Sequence, residues 1–249
     1  MFTNRPTGGS SVILEADLIR SRVNNFWGYG NLSSDVWFVG MEEGHTEDNE
    51  ALVRRIKATT GGQVFDIYED MRGDPGHMHW FKDGAPTQST YRKLIYLLLY
   101  LRSGKEPTLE EIRAYQIHKF GRKSSDHAVL ELMPLPCKSI RKADWVYGSF
   151  GIEGLSSRKE YLATYKPMRV ELLRSLIQNH KPKLVILYSR SYAEDWKLVA
   201  GVPFTEIIPG KLSIAKNDGT VYAIIPHSTA HKTSNIDWRN IAEGLITTL

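Results

Sequence analysis

Four short apolar runs punctuate the chain, at residues 36–39, 129–136, 184–187 and 221–225. Each is too short for a typical globular helix and is bounded by turn formers or proline, so each reads as a buried strand. Helical spacing fills the intervals. Residues 10–27 place Val12, Ile13, Leu14, Leu18, Ile19 and Val23 at helical intervals, with Ser10 or Ser11 as the cap and Gly28 and Gly30 as the stop. Residues 47–60 form an amphipathic pattern halted by Gly61-Gly62, and 87–102 a strongly apolar one halted at Gly104. Another helix starts at Pro107-Thr108, where Thr108 and Glu111 have capping-box spacing. Residues 156–180, 191–199 and 236–246 complete the helices. Residues 204–208 and 211–215 are short strand candidates, and Asn217-Asp218-Gly219 is a turn signal.

Strands separated by helical crossovers imply a mostly parallel sheet with helices on both faces. The expected fold is an α/β, three-layer α/β/α sandwich around a mainly parallel four-stranded sheet. No repeat or linker divides residues 1–249, so one domain is expected, with 1–9 flexible. Residues 61–86 fit no element. A connection of that length, rich in Gly, Asp and His, reads as a binding loop or lid.

Composition is ordinary for a globular chain, at 41% hydrophobic and 24% charged. Cys137 is the one cysteine, which excludes an internal disulfide framework and fits a reducing cytoplasm. Residues 1–11 are polar, without the apolar segment of a secretion signal. The longest apolar run, 94–101, is far too short to span a bilayer. A net charge of +4 permits nucleic-acid binding without demonstrating it.

Candidate chemistry concentrates where strands end. Gly40-Met41-Glu42-Glu43-Gly44 closes the first strand with two adjacent carboxylates, which read either as a solvated acidic turn or as a site at a strand end. The fourth strand delivers Pro226-His227-Ser228 into a polar loop running to Asn235. His77 and His79 form a weak metal pair without a nearby third ligand, so a substrate-lining role suits that segment better. Lys138, Arg141 and Lys142 beside Trp145 and Tyr147 suit either a nucleic-acid strand or a solvated loop with anchoring aromatics.

These residues resemble the uracil-DNA glycosylase superfamily, and its single-strand-selective monofunctional branch most closely. Gly40-Met41-Glu42-Glu43-Gly44 is similar to that branch's first motif, Gly-Met-Asn-Pro-Gly. Pro226-His227-Ser228 resembles the second motif, His-Pro-Ser, and Glu131-Leu132-Met133-Pro134-Leu135 resembles an Asn-x-Cys-Pro-Leu strand end. All three occur in the family order. The resemblance implies a monofunctional enzyme that hydrolyses the N-glycosidic bond of a flipped-out base and leaves an abasic site, without metal or organic cofactor. DNA is the implied partner, with no membrane and no obligate protein partner, and a monomer is expected.

The departures carry information. Glu42 stands where the family's water-positioning Asn or Asp stands, Glu43 replaces a proline, and either carboxylate could serve. Gly44 lies where another branch carries a Tyr that excludes groups at C5 of the pyrimidine. Glu131 replaces the base-reading Asn. An ionised carboxylate only accepts hydrogen bonds, which suits the cytosine N4 amino group and mismatches uracil O4. Glu131 could also be a surface residue at the end of its strand, and His227 a hydrogen-bonded structural one. The implied base is a modified cytosine, such as the glucosylated 5-hydroxymethylcytosine that bacterial relatives in phage defence remove. Uracil repair and a non-catalytic DNA-binding module are the alternatives. Within this picture Gly40, Met41, Gly44 and an aromatic, Phe65 or Tyr68, would hold the base. His227 would bond base O2, and Ser228, Thr229, His231, Lys232 and Ser234 would grip phosphates.

Overall fold

The computed structural model describes residues 15–44, 49–138, 145–230 and 232–249. The expectations placed on residues 1–9, on a helix cap at Ser10 or Ser11, and on Arg141, Lys142 and His231 fall outside those residues. The elements in order are α1 (Ala16–Asn25), β1 (Gly28–Gly30), β2 (Val36–Gly44), α2 (Asn49–Ala58), β3 (Val64–Phe65), α3 (Pro75–Met78), α4 (Ser89–Ser103) and α5 (Leu109–His118). They continue with β4 (His127–Cys137), α6 (Arg158–His180), β5 (Leu184–Tyr188), α7 (Ala193–Ala200), β6 (Thr205–Ile208), β7 (Leu212–Asn217), β8 (Thr220–Ile225) and α8 (Asn235–Ile246).

Among the described residues eight strands form one sheet, in the order β3-β1-β4-β2-β5-β8-β7-β6. The four strands expected from the sequence are its contiguous centre, β4-β2-β5-β8, and they pair in parallel throughout. The expected four-stranded sheet is therefore too small. β6 and β7, read as candidates, extend one side through antiparallel pairing, and the Asn217-Asp218-Gly219 turn joins β7 to β8. β1 and β3 extend the other side. They escape a hydrophobic scan because one is Gly-Tyr-Gly and the other two residues long. Gly28 and Gly30 do more than end α1. A Cβ on either would run into the β4 backbone, so glycine permits the close antiparallel pairing.

Apolar side chains alternate across the sheet. Trp37 and Val39 pack toward α1, α2, α6 and α7, and Phe38 toward α4, α5 and α8. The result is three layers, with the central strands β4, β5 and β8 buried on both faces as parallel strands require. Local signals hold where they were specific. Thr108 and Glu111 form the expected capping box, with Glu111 N–H donating to the Thr108 hydroxyl at 3.2 Å. Gly104 ends α4 in the left-handed conformation. Among the described residues no helix is long and apolar enough to cross a membrane.

Residues 61–86 are organised rather than structureless. Asp66 accepts backbone N–H groups from Tyr68, Glu69 and Lys123 at 2.9–3.0 Å, and Asp74 caps α3. The Asp and Gly content that reads as loop is local turn chemistry.

Candidate active site

Parallel pairing brings the carboxyl ends of β2, β4, β5 and β8 to one edge, where open α/β sheets bind ligands. Gly40 pairs with Glu131, and Tyr188 with Ile225, two residues before His227. A cavity of about 540 Å³ opens there, lined by Met41, Glu42, Glu43, Gly44, Glu131 and His227 among others. Gly76, His77 and Trp80 come to it from the 61–86 segment, which thus lines the cavity as expected.

Glu42 and Glu43 are not a solvated turn. They sit on β2, which runs to Gly44, five residues beyond the expected strand. The β2–β4 register shifts between Glu42 and Gly44, an irregularity of the kind that re-aims side chains beside sites. Both carboxylates line the cavity but differ in their partners. Glu43 is fully engaged: Tyr29 Oη donates to Oε1 at 2.9 Å, and Arg22 pairs with Oε2. Burial pushes its pKa up, but Arg22, Arg55 and His77 outweigh burial and hold it below the ordinary value. Glu42 pairs through Oε1 with Arg158, the first residue of α6, and Oε2 has no hydrogen-bond partner among the described residues. Burial leaves its pKa raised despite the arginine, which makes it the more basic of the two.

Arg22 also donates to the Pro134 carbonyl at 2.8 Å and lies over the Phe26 ring. Arg55 donates to the Gly44 carbonyl at 3.2 Å and pairs with Asp74 at 3.5 Å, tying the motif loop to the segment before α3.

Glu131 is not a surface residue. It is 7% exposed, and its Oε1 accepts from Tyr188 Oη at 3.1 Å. A Cβ on Gly40 would collide with Tyr188 Oη and Glu131 Oε2, so glycine there makes room for the pair. Burial, with Glu43 and Glu42 nearby, raises the Glu131 pKa well above the ordinary value. The acceptor-only chemistry expected of Glu131 belongs to its ionised form, which these surroundings disfavour. This environment favours the neutral acid, which both donates and accepts.

His227 follows β8. The Thr229 N–H donates to its Nδ1 at 3.3 Å, with the Thr229 hydroxyl 2.9 Å from the same nitrogen, an arrangement that favours the neutral ring with its proton on Nε2. Burial lowers its pKa, so the ring is held neutral with an N–H to offer.

No protein-family model matches this chain, and no curated protein matches it.

The remaining expected residues lie elsewhere. Phe65 is buried and stacked on Phe26, and Tyr68 lies under Arg122 away from the cavity. The cavity's aromatic rings are instead Tyr29, Trp80, Tyr91, Tyr188 and Tyr192. Ser228 is buried, while Thr229 is exposed beside His227. Lys232 is exposed, and its carbonyl accepts from Lys211 Nζ at 2.5 Å. Ser234 is the N-cap of α8, in a reciprocal box with Asp237. Trp145 and Tyr147 are anchors: their polar atoms donate to the Leu155 and Pro136 carbonyls, both at 2.8 Å. Among the described residues no cluster of three or more His, Cys, Asp or Glu could hold a metal.

The partners Arg22, Arg158, Tyr29 and Tyr188 were not singled out from sequence. The apolar pattern places Tyr188 just past a strand end, which was the one signal for it. Nothing local distinguishes the arginines, because their roles arise from contacts 21 and 116 residues away.

Proposed function

We propose that the protein is a monofunctional DNA glycosylase that hydrolyses the N-glycosidic bond of an extruded, modified cytosine. The observation that carries this reading is the convergence of Glu42, Glu131 and a neutral His227 on one cavity at the carboxyl edge of the parallel strands. The motif resemblance to the uracil-DNA glycosylase superfamily supports the same reading.

In this mechanism the nucleotide leaves the stack and enters the cavity. The C1′–N bond breaks, and the base departs with the bonding electrons. His227 Nε2–H donates to base O2 as negative charge grows there. Glu42, near the cationic sugar, stabilises it, orients a water and takes that water's proton as hydroxyl adds to C1′. Arg158 holds Glu42 in place and favours its ionised form. Glu43, with both oxygens engaged, contributes charge and rigidity rather than proton transfer. The departing base anion takes a proton from solvent water and Glu42 returns its proton to solvent, so the products are the free base and an abasic site.

Two features support a base larger than uracil. The cavity, at about 540 Å³, lies within the roughly 300–1,000 Å³ range of pockets that bury small-molecule ligands. Gly44 lines it, and a Cβ there meets no described atom within 4 Å. Uracil remains the second reading, because a neutral Glu131 matches its O4 and N3–H as well as it matches cytosine.

Oligonucleotides carrying uracil, cytosine, 5-hydroxymethylcytosine or its glucosylated form, scored for alkali-labile breaks, test the proposal. Breaks at the glucosylated base, absent with Glu42→Gln, are expected. Breaks at uracil alone would move the protein to repair. DNA binding with no breaks at any base would favour a binding module.

A further inference from the structure

Glu131 is the one carboxylate of the three without an arginine on its oxygens. Arg22 is engaged with Glu43 and Arg158 with Glu42. Arg169, from α6, reaches Glu131 only at its backbone carbonyl, at 3.1 Å, and bonds the neighbouring Leu132 and Phe26 carbonyls as well. Tyr188 Oη is the side-chain partner, and Oε2 has no partner among the described residues. An ionised carboxylate buried here with one oxygen unpaired and no arginine beside it would hold an uncompensated charge. The protonated group avoids that charge.

We propose that Glu131 works as a neutral acid joined to Tyr188, and that this pair offers an extruded base one hydrogen-bond donor and one acceptor. The ligand rests on the glycosylase reading; the state of the pair does not. The charged and titratable groups around it come from several elements. Glu42 and Glu43 on β2 oppose ionisation of Glu131, Arg22 on α1 favours it, and Tyr188 on β5 bonds it. Burial acts in the same direction as the two carboxylates and is the largest influence. The His227 ring lies 5.9 Å from that of Tyr188, so the pair and the base-activating histidine share one wall.

The consequence concerns specificity. Cytosine presents an acceptor at N3 beside a donor at N4, and uracil a donor at N3 beside an acceptor at O4. A carboxylic acid can carry its proton on either oxygen, so the pair satisfies both edges. Discrimination then falls on the group at C5, for which Gly44 leaves room. Tyr188 becomes a positioning residue, holding the acid against Gly40.

The test starts with the free protein. Carbon-13 labelling of glutamate carboxyls, with Glu131→Gln identifying the signal, follows Glu131 through a pH titration. The expected result is a protonated carboxyl at neutral pH, titrating well above the ordinary range. In Tyr188→Phe the titration should move higher still, because the lost hydrogen bond favoured the ionised form. An ionised Glu131 signal at neutral pH would overturn the proposal even in a protein that excises bases. A protonated signal in a protein that excises nothing would uphold the pair and reject the glycosylase reading. In excision assays Glu131→Gln, neutral and able to donate and accept, should stay within about tenfold of the parent, the scale of one hydrogen bond. It should also lose the parent's fall in rate at alkaline pH. A folded Glu131→Gln protein inactive at every pH would overturn the proposal.

Discussion

At the scale of single residues, the division of labour between two neighbouring glutamates is set by what each oxygen touches. Glu43 has a donor on each oxygen, whereas Glu42 keeps Oε2 without a partner among the described residues. Glu42→Gln should therefore lower single-turnover excision by about 10²–10⁴-fold, the usual range for a general base, while thermal unfolding stays near that of the parent. Glu43→Ala should instead act on folding. It strands the fully buried Arg22, and breaking such a pair costs on the order of 3–5 kcal/mol, which thermal or urea unfolding would register. If the two variants behaved alike in both assays, this assignment would be wrong. Gly44 lines the cavity, and a Cβ there meets no described atom within 4 Å. Gly44→Tyr should suppress excision of a base with a bulky C5 group far more than that of an unmodified base. Equal losses on both substrates would show that C5 groups do not lie there.

At the scale of elements, the site depends on how strands and helices end. Ser234 caps α8, and its hydroxyl is occupied by that role. Ser234→Ala is expected to cost about 0.5–2 kcal/mol of stability without altering the salt dependence of DNA binding. Lys232, exposed two residues earlier, should behave in the opposite way. Lys232→Ala should leave stability unchanged and reduce the salt slope by about one phosphate contact, measured by fluorescence anisotropy. The central strands and most helices were legible in the sequence because each carries its own signal, an apolar run or a cap such as Thr108 with Glu111. β1 and β3 were not, since Gly28-Tyr29-Gly30 becomes a strand only because β4 lies against it. Glu42 and His227 were legible because they follow apolar runs, and Glu131 because it interrupts one. The arginines that control the carboxylates, and Tyr188, which sets the environment of Glu131, were not, since charge pairing across the fold leaves no local periodicity.

At the scale of the whole molecule, the three-layer fold determines the ionisation states on which the chemistry depends. Glu42 must be ionised to take a proton, and burial raises its pKa, so the rate should fall as pH drops through a value higher than that of an ordinary glutamate. Glu131 must stay protonated, so the rate should also fall as pH rises through its elevated pKa. The expected kcat/KM profile is a bell whose alkaline limb disappears in Glu131→Gln. Stability follows the same linkage. A carboxyl whose folded pKa lies above its unfolded one favours folding at low pH and loses that contribution as pH rises toward the folded value. Urea unfolding of the parent against Glu131→Gln should show the parent losing ground over that interval, and parallel curves would contradict the protonated state.

The most direct measurement of the central claim is mass spectrometry of the products formed from an oligonucleotide bearing one glucosylated 5-hydroxymethylcytosine. Release of the intact modified base, with an unbroken strand carrying an abasic site and no release by Glu42→Gln, is the predicted result. A substrate recovered unchanged after incubation with protein that demonstrably binds it would contradict the account.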